Sequence, residues 1–203
     1  MRLYWSRLSP YVRKVMVVAH EVGLAANIER IDTEVSMSAA NRDLLPINPL
    51  GQIPALVLTD GMTLHDSRVI CEYLDATASG GLFPAPPARW DALRRHALGD
   101  GIMDALIVWR QERLKPAERQ TQAWLDTFAL KIATALDQLE LNSEELQAAP
   151  FDIGHVAIGC ALGYLDLRFG DLGWRTGRLS LAEWHAGFET RSAARATAPG
   201  DAA

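Results

Sequence analysis

A hydroxyl at the first turn of a helix can hold an anion, and one such place occurs within the first dozen residues. In "WSRLSPYVRKV", Trp5 to Val15, Ser9 stands where an N-cap belongs and Pro10 where the first helical residue belongs. The N–H groups after Ser9 and the positive helix end then face whatever binds there. A thiol, whose ordinary pKa is about 8.5, ionises more readily when its thiolate meets a helix N-terminus and a hydroxyl donor. Ser6 and Tyr4 are rival hydroxyls, Ser6 closing the preceding strand and Tyr4 lying within it. Neither sits at a helix start, whereas Ser9, read alone, is equally an ordinary cap.

Two further stretches carry polar groups in useful places. In "NPLGQIPALV", Asn48 to Val57, Pro54 opens an apolar run and reads as a proline at the start of an edge strand. In "LHDSRVICEYL", Leu64 to Leu74, the residues Val69, Ile70, Tyr73 and Leu74 fall at helical spacing, with Asp66 or Ser67 as N-cap. The Ser67 hydroxyl and N–H at that helix start suit a carboxylate, and the Asp66 carboxylate suits an ammonium.

The elements that hold these stretches alternate. Arg2 to Ser6 is short and apolar like a strand, and Pro10 to Val22 places Val12, Val15, Met16 and Ala19 on one helical face. A second strand is predicted over Asn27 to Asp32, and a hairpin joins Ala55–Leu58 to Met62–Leu64 around Gly61. The order is β-α-β-loop-β-β-α, an α/β arrangement. "TASGGLFPAPPAR" then reads as a linker, and the chain beyond it is helical: Trp90–Arg113, Ala117–Leu139, Ile153–Phe169 and Leu181–Glu189. Ile153–Phe169 is apolar on all sides and thinned by Gly154, Gly159 and Gly163, the pattern of a buried central helix.

Composition bounds the function. With 49% hydrophobic and 22% charged residues the 203-residue chain can bury a core, and a net charge of −5 argues against nucleic acid as the main partner. No segment approaches the roughly 20 apolar residues of a membrane span, and no signal-peptide core is present, so a soluble intracellular protein is expected. Cys71 and Cys160 form no CxxC and read as reduced core residues. His20, His65, His96, His155 and His185 show no HExxH spacing, and no GxGxxG or GxxxxGK occurs, so neither a metal nor a phosphate loop is expected.

The three stretches "SPYVRKV", "NPLGQIPALV" and "LHDSRVICEYL", in this order ahead of a helical half, resemble a cytosolic glutathione transferase of the serine type. The later "LGDGIMDALIVWRQE" and "AIGCALGYLDLRF" are similar to bacterial members. The resemblance implies an α/β thioredoxin-like N-terminal domain over residues 1–77, a linker over 78–87 and an all-α C-terminal helical domain over 88–192. A tail over 193–203 has no apolar face and is expected to be disordered. It further implies that Ser9 is catalytic, donating to the glutathione sulfur. Gln52, Ile53 and Pro54 would bind the tripeptide backbone as an added strand beside a cis Pro54, and Asp66 with Ser67 would hold its γ-glutamyl end.

A small hydrophobic electrophile is then expected between the domains, near Leu8 and Tyr11 of the first and Met103, Ile107, Trp109 and Arg110 of the second. The same resemblance implies glutathione as co-substrate without a metal, no membrane or nucleic-acid partner, and a cytoplasmic homodimer engaged in detoxification. A non-catalytic protein binding glutathione or apolar ligands, or a glutathione-dependent peroxide reductase, remain as alternatives. Members with a cysteine before the proline are thiol or dehydroascorbate reductases, and zeta-type members carry "SSC"; the chain has neither. It departs from the family at "FDIGH", where Asp152 and His155 replace a Ser or Thr cap closed by Asp. On that ground His155→Asp is expected to raise thermal stability.

Overall fold

β1 (Arg2–Trp5) turns Leu3 into the core and leaves Arg2 in solvent, the alternation of a half-covered strand. The computed structural model describes residues 1–199. β2 (Glu29–Asp32) lies parallel to β1, and β3 (Ala55–Val57) lies antiparallel on its other side. β4 (Thr63–Leu64) runs antiparallel to β3, which gives the order β2-β1-β3-β4. The parallel pair needs a crossover, and α1 (Pro10–Glu21) supplies it. α1 packs against α2 (Ser67–Ala78), and Val15, Val18, Ile70 and Leu74 are fully buried with Leu3 and Leu56 of the sheet. This is the thioredoxin-like mixed sheet that the resemblance implied, followed by helices.

The chain divides into two units, Met1–Arg89 together with the residues from Ser192, and Trp90–Arg191. Two expectations change here. The segment after α2, read as a linker, is held to the first unit: the buried Asp75 carboxylate accepts from Leu82 N–H at 2.8 Å and Phe83 N–H at 3.0 Å. The tail over 193–203, expected to be disordered, begins as a helix with a docking site. Ser192–Ala196 is helical and buries Ala193 and Ala194, and Arg13 Nη2 on α1 donates to the Ala194 carbonyl at 3.4 Å. Small side chains let this turn approach α1 without any apolar periodicity of its own. Residues 200–203 of that expected tail lie outside the described residues.

The second unit is built from α3 (Ala88–Arg113), which starts in the first unit, α4 (Gln122–Leu141), α5 (Ser143–Ala148), α6 (Ile153–Arg168) and α7 (Leu179–Thr190); Ser192–Ala196 is α8. α6 is buried at every position from Ile153 to Leu165. Its neighbours come very close: a Cβ on Gly99 of α3 would lie 2.6 Å from the Ala157 carbonyl carbon and 2.7 Å from Ile158 N, and one on Gly159 would lie 2.5 Å from the Phe188 ring. Backbone cannot yield as a side-chain tip can. Gly99→Ala should therefore lower stability by about 2 kcal/mol despite its better helix propensity. An unchanged melting temperature would show that α3 and α6 part without cost.

Asp152 caps α6, accepting from Gly154 N–H at 2.8 Å and His155 N–H at 3.2 Å, and Arg95 of α3 donates to its other oxygen at 2.6 Å. His155 is no weak substitute in this cap. Its Nδ1 lies 3.1 Å from Asp152 N and 2.7 Å from Asp152 Oδ1, and its Nε2 lies 2.9 Å from the Leu146 carbonyl of α5. An aspartate at 155 would lose the α5 bond and set a second buried carboxylate against the first. The expectation that His155→Asp stabilises is thus reversed.

Candidate functional site

The three stretches singled out above leave the sheet at one end. β1 and β3 are antiparallel with Tyr4 opposite Ala55, so the end of β1 and the start of β3 lie together. β4 runs against β3 with Leu64 opposite Leu56, which brings the end of β4 to the same place. Ser6–Pro10, Gln52–Pro54 and His65–Ser67 all emerge there, with the N-termini of α1 and α2. Two positive helix ends at one end of a sheet favour anionic groups.

Ser9 has extended dihedrals, φ −84° and ψ 121°, and its Oγ accepts from Val12 N–H at 3.3 Å. A hydroxyl that accepts in this way keeps its proton to donate elsewhere. Its N–H donates to the Ser6 carbonyl at 3.2 Å, while Ser6 Oγ accepts from Leu8 N–H at 3.4 Å. Ser6 is therefore engaged in the turn, Tyr4 lies in register within β1, and of the three hydroxyls Ser9 alone caps a helix.

Ile53–Pro54 is cis, as the resemblance implied. Ile53 and Pro54 are buried side chains, whereas Gln52 is exposed. Among the described residues the Ile53 N–H and C=O have no hydrogen-bond partner, so the donor and acceptor of this one residue are open to a further extended strand. A residue not singled out from sequence shapes this loop. Asn48, 2% exposed, donates from Nδ2 to the Gln52 carbonyl at 2.7 Å and accepts from Leu50 N–H at 3.1 Å, and Gly51 sits at φ +62°. An asparagine between two prolines was the available signal, since its side chain readily stands in for a backbone turn.

Asp66, not Ser67, is the N-cap of α2, accepting from Arg68 N–H at 2.9 Å through one oxygen. It is exposed, which leaves the other oxygen facing solvent. Ser67 is 3% exposed, and among the described residues its hydroxyl and N–H have no partner. A hydroxyl and an amide N–H without an acceptor, next to a carboxylate, make a pair of opposite polarity.

The chain is similar to several known proteins. Residues 8–77 match the family model described as glutathione S-transferase, N-terminal domain. A glutathione transferase family member from Pseudomonas fluorescens Pf-5, solved with bound glutathione, is 43% identical, with 98% of each chain covered and a TM-score of 0.94. A glutathione S-transferase from Methylobacillus flagellatus KT, solved with GSH bound, is 33% identical at a TM-score of 0.86, covering 98% of this chain and 99% of the other. The Escherichia coli K12 "Uncharacterized GST-like protein YibF" is 35% identical over 187 residues, 90% of this chain and 91% of that one.

The chain belongs to the glutathione S-transferase family. Of the remaining residues expected at a transferase site, Leu8 and Tyr11 are half-buried in the first unit, with the Lys14 ammonium 5.9 Å from the Tyr11 ring centroid. In the second unit Ile107 and Arg110 are half-buried, and Trp109 packs on Phe169 with ring centroids 5.0 Å apart. Met103 has no exposed surface and belongs to the core. Among the described residues no group of three or more His, Cys, Asp or Glu is placed to hold a metal, and no helix is long and apolar enough to cross a membrane.

Proposed function

We propose that the protein is a glutathione transferase that joins the glutathione sulfur to small hydrophobic electrophiles. The observation that carries this reading is the arrival of Ser9, Ile53 and the Asp66–Ser67 pair at one end of the sheet. Ser67, with its unpartnered hydroxyl and N–H, receives the γ-glutamyl carboxylate, and Asp66 receives its ammonium. Ile53 pairs with the peptide backbone, and Gln52 flanks it. Held at points remote from its sulfur, the tripeptide presents the thiol to Ser9 in one orientation. The thiol loses its proton to solvent and the thiolate takes the Ser9 hydrogen bond. With an aryl halide, a carbon–sulfur bond then forms as the carbon–halogen bond breaks and halide departs.

Two structures of one relative support the ligand: the Pseudomonas fluorescens Pf-5 family member was solved with glutathione and also, at 42% identity and a TM-score of 0.89, with S-(propanoic acid)-glutathione, a thioether of the kind conjugation makes. The residues assigned to the electrophile are Leu8 and Tyr11 in the first unit and Ile107, Trp109 and Arg110 in the second; Met103, also expected there, is a core residue of the second unit. By family likeness we take the protein to be a cytoplasmic homodimer engaged in detoxification, and a sedimentation mass of one chain would sink the dimer.

The test is retention on immobilised glutathione together with turnover of an aryl halide. Ser67→Ala removes one hydrogen bond to a charged group, about 1.5–3 kcal/mol, and should weaken glutathione binding by roughly 10- to 100-fold. Absence of retention by the unmodified protein, or equal retention by Ser67→Ala, would overturn the site.

A further inference from the structure

At the C-terminal halves of α3 and α6, hydrogen-bond donors gather without acceptors. Trp109 is 5% exposed, and among the described residues its Nε1–H has no partner; Arg168 Nε and Arg113 Nη1 are likewise buried without one there. The Arg113 guanidinium lies 5.8 Å from the Trp109 ring centroid and 5.1 Å from that of Phe169, and its Nη2 donates to Asp171 at 2.6 Å. One turn before Arg168 on the same face of α6 stands Tyr164, 7% exposed. Burial raises its phenol pKa, and the charges of Arg110 and Arg168, with a hydrogen bond that Arg168 donates to the phenol oxygen, pull it the other way. The phenol thus keeps its proton at neutral pH and adds another donor. Among the described residues no carboxylate pairs with Arg110 or Arg168.

Buried N–H groups without acceptors are costly, and natural cores leave few of them. Here several occur together, on two packed helices, with three guanidinium groups and one bonded carboxylate, Asp171, at the exposed rim. Water could serve one donor; an excess of positive charge beside an aromatic pair calls for an anion with an apolar body. A planar carboxylate fits the guanidinium fork, and the Trp109–Phe169 pair offers the surface for its hydrocarbon part.

We infer that this part of the helical unit is a subsite for a carboxylate on a small apolar molecule. It rests on the transferase reading in that the ligand is the acidic end of the second substrate. The electrophile class is then aryl or alkyl electrophiles bearing a carboxylate, and neutral ones of the same shape are the poorer substrates. Arg110 and Arg168 bind the carboxylate, and Trp109 supplies a neutral hydrogen bond and a reporter.

Two measurements on the full chain separate this inference from the reading beneath it. The first follows the Trp109 indole N–H resonance, assigned with Trp109→Phe, during titration with 3-phenylpropanoate or its methyl ester in the absence of glutathione. A saturable shift with the acid, at least tenfold weaker for the ester and for Arg168→Met and restored in Arg168→Lys, is expected. Equal binding of acid and ester, or no shift at saturation, overturns the subsite. The second compares kcat/KM for 4-chloro-3-nitrobenzoate and its methyl ester with glutathione. The unmodified protein should prefer the acid at least tenfold, chiefly through KM, and Arg168→Met should lose that preference. Turnover of the ester with no preference for the acid sinks the subsite and leaves the transferase standing. Binding of the acid without turnover of either compound sinks the transferase reading and leaves an acid-binding site. Should Arg168→Met fail to fold, the comparison of acid with ester on the unmodified protein still decides.

Discussion

Ser9→Ala should lower turnover of an aryl halide by about 100-fold while leaving retention on immobilised glutathione nearly intact. The Ser9 hydroxyl already accepts from Val12 N–H and still has its own hydrogen to give to a thiolate. A hydrogen bond to a charged group is worth about 1.5–3 kcal/mol, and each 1.4 kcal/mol is tenfold in rate. Because the bond is made to the anion and not to the thiol, its loss raises the pKa of bound glutathione. The pH–rate profile should therefore move to alkaline pH by one to two units, roughly. The tripeptide is held elsewhere, at Ile53, Asp66 and Ser67, so affinity changes little.

Alanine at Ser9 also removes a helix cap, at a cost of about 1 kcal/mol in stability, and that loss must be kept apart from the catalytic one. Ser9→Gly separates them, since glycine at an N-cap costs only a few tenths of a kcal/mol, roughly, yet has no hydroxyl. Ser9→Thr restores both. Equal turnover by Ser9→Ala and the unmodified protein, at every pH, would move the catalytic role to another group. Retention with no effect at Ser9 would favour the non-catalytic binding protein.

What the sequence disclosed is what local chemistry decides. Ser9–Pro10 and Asp66–Ser67 are helix starts whose meaning lies within four residues, and both helices begin where those residues say. The strands around Gly61 are equally local, and so is the buried character of α6. The missing parts depend on distant partners. The α8 segment "SAARA" has no apolar face to read, and becomes a helix with a role only because Arg13, far away in the chain, takes a bond to Ala194. Asn48 is an ordinary loop residue until the fold buries it beneath Gln52. Met103 shares a periodic face with Ile107 and Arg110, and packing alone distinguishes the core residue from the half-buried ones. The same holds for His155, whose second nitrogen finds its partner on α5.

That buried cap sets the largest expected loss of stability. Asp152→Ala should destabilise the helical unit by about 3–5 kcal/mol, because it leaves the Arg95 guanidinium without its close buried partner and strips two N–H groups of their acceptor. Glu145 lies 3.6 Å from Arg95 Nη1 but is largely exposed, and so offsets little of this. If the uncompensated charge is the main cost, Arg95→Met combined with Asp152→Asn should recover most of the loss, since asparagine still caps and no buried cation remains. Burial pushes the Asp152 carboxyl upward in pKa, but the hydrogen bonds from His155 and Arg95, with their charges, outweigh it, and the net shift is downward. A carboxyl depressed in the folded state contributes stability that is fully present above its unfolded pKa of about 3.9 and is lost as pH falls through the folded value. Acid unfolding of the unmodified protein should thus steepen below about pH 4, and the double variant should lack that component. His155→Asp, with two carboxylates at one helix start and the Leu146 carbonyl unbonded, should melt at a lower temperature than the unmodified protein and gain ground as the pH falls toward 4, where one of the pair takes up a proton, roughly as like-charged carboxyls do elsewhere. A rise in melting temperature at neutral pH for His155→Asp would mean that the histidine is a poor cap after all, and that its bond to α5 contributes nothing.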